Sequence, residues 1–252
     1  MSKQLTIDLS PFGATFTVLT NSMVGRSAST SFDNSEETHH KERLEKLLVE
    51  NPWLREEYDD VTLGWAGQKS SLVPNNVFAD SDAEKIFQLC FGGETPSDEI
   101  DYNRISELGI VNVYQIPVWI KSFFVIRYPR IVMQHGTSHF LRKSLESNAF
   151  RAKVTAVVYR DYFFLNVVKH NELQFFSSFE ASTNEDLLYH LVFVLQQKEL
   201  TNEEGNIELV SASQNQLKLD DAVEMLQKIK ELSKYRASLN ESFVSSSQAL
   251  CV

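Results

Sequence analysis

One order of predicted elements occurs twice along this chain of 252 residues: three strands, a helix, a strand and a helix. In the first half, alternating apolar residues and the intervening turn residues predict strands over 5–9, 14–20 and 27–32, a helix through 44–48, a strand over 60–65 and a helix over 82–91. In the second half they predict strands over 154–159, 162–168 and 172–179, a helix through 187–195, a strand over 206–210 and a helix over 220–235. The period is too long for a solenoid and fits two copies of one small domain.

This order of elements defines the expected fold class. Three hairpin-linked strands followed by helix, strand and helix form a ribonuclease-H-like unit, and two such units in tandem describe the actin-like ATPase architecture, a mixed α/β fold. We expect one half over 1–149, a second over 150–237 and a flexible, serine-rich tail over 238–252. The polar segment 94–104 is predicted to be a loop, followed by a strand over 111–116, a helix over 119–128, a strand over 131–134 and a helix over 138–145.

Charge and hydropathy exclude several classes of partner. The net charge of −10 disfavours nucleic acid and anionic lipid. No apolar run reaches ~18 residues, so no membrane span is expected, and the N-terminus lacks the apolar core of a signal peptide. These features predict a cytoplasmic protein. The two cysteines lie far apart, and we expect a buried thiol at Cys90, a tail thiol at Cys251 and no disulfide.

The chain resembles an uncharacterised bacterial family, a domain of unknown function with an actin-like fold. The resemblance rests on Phe175-Phe176-Ser177-Ser178-Phe179 followed by Thr183-Asn184-Glu185-Asp186-Leu187-Leu188-Tyr189, on the segment 72–78 and on the opening hairpin over 5–20. It covers most of the chain and implies the fold. It implies no activity, because none of these motifs is a chemical signature.

Actin-like ATPases hold phosphates on two hairpins, whose turns need glycine so that backbone N–H groups can approach the oxygens. In the first hairpin Asp8 stands where the Asp of such an enzyme would stand, but Ser10 replaces the first glycine and Pro11 removes a backbone donor, leaving only Gly13. The second hairpin, 158–163, and the segment expected near adenosine, 210–214, contain no glycine. Only nine glycines occur in the chain, about half the usual ~7%.

The histidines predict no metal centre. His135 and His139 are four residues apart, but Gly136 makes a helix at His135 doubtful, and no Glu follows His135 as zinc motifs of this spacing need. His39 and His40 lie at a charged helix start and are expected to be solvated. His190 lies in an apolar helix and is expected in the core or at an interface. We therefore assign no catalytic, cofactor-binding or metal-binding residue, and no cofactor is expected.

Aromatic residues crowd the three predicted strands of the second half, from Tyr162 to Phe179. A strand with Phe on both faces is either covered on both sides or presents a patch for a partner. The leading hypothesis is a non-catalytic interaction or scaffold protein on a degenerate actin-like fold, with a protein partner or self-association. The alternative is a divergent ATP-binding protein or phosphotransferase, in which Asp8 holds the metal while Ser10 and Thr15 contact phosphate. A cleft plugged by Tyr162 or Phe163 favours the first hypothesis, and an open polar cleft near Asp8 favours the second.

Overall fold

The computed structural model describes residues 2–146 and 150–249, and the chain divides into two compact units. Unit 1 comprises residues 1–142 together with 245–252, and unit 2 comprises residues 143–244. The sequence-predicted boundary between 149 and 150 borders residues 147–149, which lie outside the described part of the chain.

Unit 1 contains one five-stranded sheet and one three-stranded sheet. Its strands are β1 (Lys3–Ser10), β2 (Gly13–Thr20), β3 (Met23–Ser31), β4 (Asp60–Trp65), β5 (Ser70–Pro74), β6 (Ile100–Ile105), β7 (Ile110–Gln115) and β8 (Val132–His135). Its helices are α1 (Glu37–Glu50), α2 (Ala83–Phe91), α3 (Val118–Arg127) and α4 (Gly136–Glu146), the last of which continues into unit 2. The large sheet has the order β3-β2-β1-β4-β8, and the small sheet has the order β5-β7-β6.

The alternation within β1 determines which face of the large sheet is apolar. Leu5, Ile7 and Leu9 point into the main core of unit 1, where they meet leucines of α1 and phenylalanines of α3. The intervening residues Thr6 and Asp8 are buried on the opposite face. The small sheet and α2 form a separate core around Phe87.

Unit 2 contains one five-stranded sheet and two helices packed on its core face. Its strands are β9 (Ala152–Val158), β10 (Tyr162–Lys169), β11 (Glu172–Glu180), β12 (Gly205–Ser211) and β13 (Tyr235–Leu239), in the order β11-β10-β9-β12-β13. Its helices are α5 (Asn184–Gln197) and α6 (Leu219–Lys228), and α7 (Phe243–Gln248) begins in unit 2 and ends in unit 1. The two large sheets share one strand order, which confirms the predicted mixed α/β class with two ribonuclease-H-like halves.

A capping box explains why α5 begins where it does. The backbone N–H of Asp186 donates to Thr183 Oγ1 at 3.1 Å, and the N–H of Thr183 donates to the Asp186 carboxylate at 3.0 Å. Both groups would otherwise be unpaired at the first turn. The helix then buries Leu187, Leu191 and Leu195 along one stripe.

Three segments differ from the sequence-based prediction. The predicted loop over 94–104 contains most of β6, whose polar side chains hide its alternation at the edge of the small sheet. The helix predicted to reach 235 ends at Lys228, and β13 follows it because that segment pairs in parallel with β12. In place of the expected flexible tail, the described residues to 249 contain the end of β13 and α7, in which Phe243 and Gln248 are each 1% exposed.

Candidate functional site

The first hairpin brings together the three residues that the ATP-binding alternative requires. Asp8 pairs with Thr15 across β1 and β2, and Ser10 lies two residues further along β1, so all three point to the same face. Asp8 is 6% exposed and pairs on its other side with Gly64 of β4. Asp8 therefore lies on the first hairpin, as the sequence suggested, and its side chain is buried.

The turn of this hairpin has little capacity to bind an anion. Pro11 has no N–H, and the N–H of Phe12 donates to Ser10 Oγ at 3.2 Å. Ser10 Oγ in turn donates to the carbonyl of Gly13 at 3.3 Å, and the Phe12 carbonyl accepts from Phe32 N at 2.8 Å. A phosphate loop needs several free N–H groups that converge on one point. Here the hydroxyl of Ser10 pairs with the N–H of Phe12 and with the carbonyl of Gly13, so these groups are hydrogen-bonded within the turn.

The second hairpin is closed by aromatic side chains. The N–H of Tyr159 donates to the carbonyl of Tyr162 at 2.9 Å, and the two rings stack with centroids 5.3 Å apart. Both tyrosines are at most 1% exposed, and Phe163 lies on the opposite face in the core of unit 2. The segment after β12 contains Gln214 in a left-handed conformation (φ 64°), and the N–H of Ala212 is bonded to the carbonyl of Val158.

The side chain of Gln248 is hydrogen-bonded to β1, a contact that was not predicted from the sequence. Its side-chain Oε1 accepts from the N–H of Ile7, and its Nε2 donates to the carbonyl of the same residue, both at 3.1 Å. Thr62 Oγ1 also donates to Gln248 Oε1 at 3.1 Å. A Cβ at position 64 would lie 3.1 Å from Gln248 Nε2, so Gly64 gives the amide room. The sequence carries no local signal for this contact, because 241 residues separate its partners.

His135 and His139 are fully buried in unit 1. Burial lowers the pKa of His135 to about 4, although a hydrogen bond from its ring to the carbonyl of Gly67 opposes the change. Burial also lowers the pKa of His139 to about 3, assisted by the charge of Arg142. Within residues 2–146 and 150–249, no three His, Cys, Asp or Glu side chains are placed to hold a metal.

Two expectations about single side chains are wrong. His40 is buried rather than solvated: its ring stacks on Phe32 at 4.2 Å, and its Nε2 is 2.7 Å from the carbonyl of Asn34. Cys90 is exposed rather than buried, because the apolar stripe of the short helix α2 turns Phe87 inward instead. Cys251 lies outside the described residues.

Aromatic side chains follow one edge of the sheet in unit 2. β11 is an edge strand whose residues 173–179 are uncharged and half-buried, with Phe175 and Phe179 on the core face and Phe176 on the other. From Phe179 the ring contacts continue onto α5. His190 stacks on Phe179 at 4.5 Å, and Tyr189 touches His190 and lies parallel to Phe193. We call β11 with Tyr189, His190 and Phe193 the aromatic edge.

Two side chains of the aromatic edge are exposed to solvent. Tyr189 is 65% exposed and Phe193 is 44% exposed, and neither was predicted from the sequence to be a surface residue. Their i, i+4 spacing on the helix was the available signal. As expected, His190 packs against the core, through its contacts with Phe163 and Phe179.

None of the helices in the described part of the chain combines the length and apolarity needed to cross a bilayer. A family model described as protein of unknown function (DUF3822) matches residues 1–239. No curated protein matches the chain.

Solved structures share the fold at low sequence identity. A protein from Bacteroides thetaiotaomicron, described as having an actin-like ATPase fold and unknown function, is 19% identical with a TM-score of 0.78, over 98% of this chain and 96% of that one. A PilM-PilN type IV pilus biogenesis complex is 13% identical with a TM-score of 0.60, over 98% of both chains. A ROK family glucokinase from Streptomyces griseus, in complex with glucose and AMPPNP, is 8% identical with a TM-score of 0.52, over 99% of both chains. These likenesses establish an actin-like ATPase fold.

Proposed function

Since the chain belongs to the DUF3822 family of proteins of unknown function and has an actin-like ATPase fold, we propose that it is a non-catalytic interaction protein that binds a protein partner at its aromatic edge. The observation that carries the proposal is the edge strand β11, uncharged over 173–179 and continued by the exposed pair Tyr189 and Phe193. A bacterial cytoplasmic location is part of the same proposal.

An edge strand offers a row of backbone N–H and C=O groups, and a partner can extend the sheet by adding a strand there. Many edge strands are protected by a charge in the middle or by proline, and β11 has neither between its terminal residues. An added strand would also cover the half-buried phenylalanines of β11. Tyr189 and Phe193 would then supply further apolar contact on one side.

Charge identifies the kind of strand that fits this edge. β11 has glutamate at both ends, Glu172 and Glu180, and both are exposed. Antiparallel pairing with a second copy of β11 would place Glu172 opposite Glu180 twice, and like charges directly opposite each other are destabilising. A partner segment that is apolar in the middle and has lysine or arginine at both ends would form opposite-charge pairs instead. The proposed occupant is such a segment.

Synthetic peptides can test this assignment on the full chain. We expect a nine-residue Val/Thr peptide that begins and ends with lysine to bind about fivefold more tightly than the same peptide with glutamate at both ends. The reason is that each charge pair between a peptide end and a glutamate of β11 contributes roughly 0.2–1 kcal/mol. In Glu172→Lys/Glu180→Lys the preference should reverse. Tyr189→Ser/Phe193→Ser should weaken both peptides, whereas Leu89→Ser, at a more exposed leucine of α2, should not. Fluorescence anisotropy gives the dissociation constants.

Two outcomes would contradict the assignment. One is an unchanged peptide preference in the charge-reversed variant, which would place the binding elsewhere. The other is a wild-type dimer in light scattering that Tyr189→Ser/Phe193→Ser dissociates, which would make a second copy the occupant.

The alternative function is a divergent ATP-binding protein or phosphotransferase that uses Asp8. The position of Asp8 beside Thr15 and Ser10 favours it, whereas the turn closed by Ser10 and the absence of an N–H on Pro11 disfavour it. A ligand at ~100 times its Kd would add roughly 2.7 kcal/mol, which is about 5–10 °C in Tm for a chain of this size. We expect millimolar Mg²⁺-ATP to shift Tm by less than about 1 °C in both wild type and Asp8→Ala. A larger shift that Asp8→Ala abolishes would establish the alternative.

A further inference from the structure

An open cavity of about 350 Å³ lies in unit 1 where β1 and β4 end. Ser10 closes β1 and Trp65 closes β4 on its rim, and the two strands are parallel. The carboxyl ends of parallel strands are the usual place for ligands in open α/β sheets. The volume is at the lower end of the range for small-molecule pockets, ~300–1,000 Å³.

The walls of the cavity are flat rings that the fold holds in place. The indole N–H of Trp65 donates to the carbonyl of Gln115 at 2.7 Å. A Cβ on Gly67 would lie 2.6 Å from Trp65 Nε1, so only glycine lets the chain pass this ring. On another wall, the ring of His40 lies between Phe32, at 4.2 Å, and Trp119, at 5.6 Å. The apolar walls are therefore preformed and need little reorganisation on binding.

The residues that line the cavity include a lysine. Lys69 is the one charged residue among those that line it, and it is exposed. Its main chain is fixed, because its carbonyl accepts from the N–H of Gln115 at 3.1 Å. The carboxylate of Glu99 accepts from Gln115 Nε2 at 2.8 Å, and Glu99 is not among the residues that line the cavity. The cavity thus combines aromatic walls with one cation in a protein of net charge −10.

We propose that this cavity is a binding site for a small planar ring compound that carries one carboxylate. The ring lies against Trp119 and Trp65, and the carboxylate faces Lys69. The pairing supplies specificity for charge, while the buried ring area supplies most of the affinity.

The three tryptophans of the chain provide a built-in control for the test. Trp65 and Trp119 line the cavity, and Trp53 does not. We would titrate the full ¹⁵N-labelled chain with 2-naphthoate and follow the three indole N–H signals by NMR. The expected result is a saturable shift of the Trp65 and Trp119 signals, with a Kd of roughly 1 mM or tighter, while the Trp53 signal stays in place.

Matched probes and variants separate the two parts of the proposal. The neutral 2-naphthamide should bind about fivefold more weakly than 2-naphthoate. In Lys69→Ala the two probes should bind equally, whereas Lys121→Ala, at a lysine paired with Asp101 outside the cavity, should keep the preference. Lys69 is exposed, so its replacement does not endanger folding. Trp119→Gln should weaken both probes about tenfold.

Three results would overturn the proposal. An equal or larger shift of the Trp53 signal would place the binding elsewhere. Equal binding of naphthoate and naphthamide to the wild type would remove the carboxylate from the ligand class. No shift of any indole signal up to the solubility limit of the probe would exclude a ring site at this cavity.

Discussion

The two large sheets have the same strand order, but the faces opposite their apolar cores differ in chemistry. In unit 1 this face carries Gln4, Thr6 and Asp8 on β1, all buried, and Gln248 is hydrogen-bonded to the same strand. In unit 2 the corresponding region carries the tightly packed rings of Tyr159, Tyr162 and Phe164. One topology can therefore be stabilised on this face by directional hydrogen bonds or by ring packing.

The difference extends to the two hairpin turns. Both are at places where a nucleotide-binding protein of this fold would need free N–H groups. In unit 1 the hydroxyl of Ser10 occupies the turn, and in unit 2 stacked tyrosines close it. Two unrelated sets of side chains thus produce the same outcome, a turn that contributes little to anion binding.

The largest expected effect comes from removing the amide that binds β1. Gln248→Ala removes two buried hydrogen bonds to the backbone of Ile7 and one from Thr62 Oγ1, and each such bond contributes about 1 kcal/mol. We expect a loss of about 3 kcal/mol and a fall in Tm of roughly 6–12 °C. Gln88→Ala, at an exposed glutamine of α2, should change Tm by less than about 2 °C.

Hydrogen exchange shows whether this loss is confined to unit 1. In Gln248→Ala the amides of β1 and β4 should exchange faster, while those of β9 and β10 should keep the wild-type rates. Equal acceleration in both sheets would mean that Gln248 does not stabilise unit 1 selectively.

A smaller effect concerns the buried histidines of unit 1. Unfolded histidine binds a proton below about pH 6.5, whereas the folded pKa is about 4 for His135 and about 3 for His139. The two histidines therefore do not lower the free energy of unfolding above about pH 6.5. Below that pH they lower it progressively, as the pH falls towards their folded pKa values. At pH 6.0 the pair should cost about 2 kcal/mol.

Denaturant unfolding between pH 5 and 8 measures this cost. His135→Gln/His139→Gln should flatten the profile between pH 6.5 and 5, whereas His170→Asn, at an exposed turn of unit 2, should leave it unchanged. A double variant with the wild-type slope would show that carboxylates elsewhere cause the acid sensitivity.

The smallest effect is expected in unit 2 and has the opposite sign. Asn166 of β10 is 1% exposed, and neither polar atom of its side chain has a hydrogen-bond partner in the described part of the chain. Since an unpaired buried amide is destabilising, Asn166→Leu should raise the free energy of unfolding by about 1 kcal/mol and Tm by roughly 2–4 °C. Thr155→Val, at the residue that pairs with Asn166 on β9, should give a smaller gain in differential scanning calorimetry. A lower Tm in Asn166→Leu would contradict this account.

Elements with strong local patterns could be predicted from the sequence. β4 was predicted with its observed bounds, because its branched and aromatic residues follow a run of polar residues, and the helix after β11 followed from its leucine spacing. β6 and β13 could not be predicted, because each lies at the edge of a sheet and has polar residues on the solvent side. Of the candidate site, the sequence identified Asp8, Ser10 and Pro11, but not the hydrogen bonds that close the turn.

By itself the sequence determined the repeated order of elements, the apolar faces and the scarcity of glycine at the expected phosphate turns. These depend on neighbouring residues, through periodicity and backbone sterics. Only the tertiary structure decided that Gln248 binds Ile7, that His40 and Trp119 meet, and that β11 is an edge. Such contacts join residues far apart in the chain, and their energy depends on burial and geometry that no local pattern encodes.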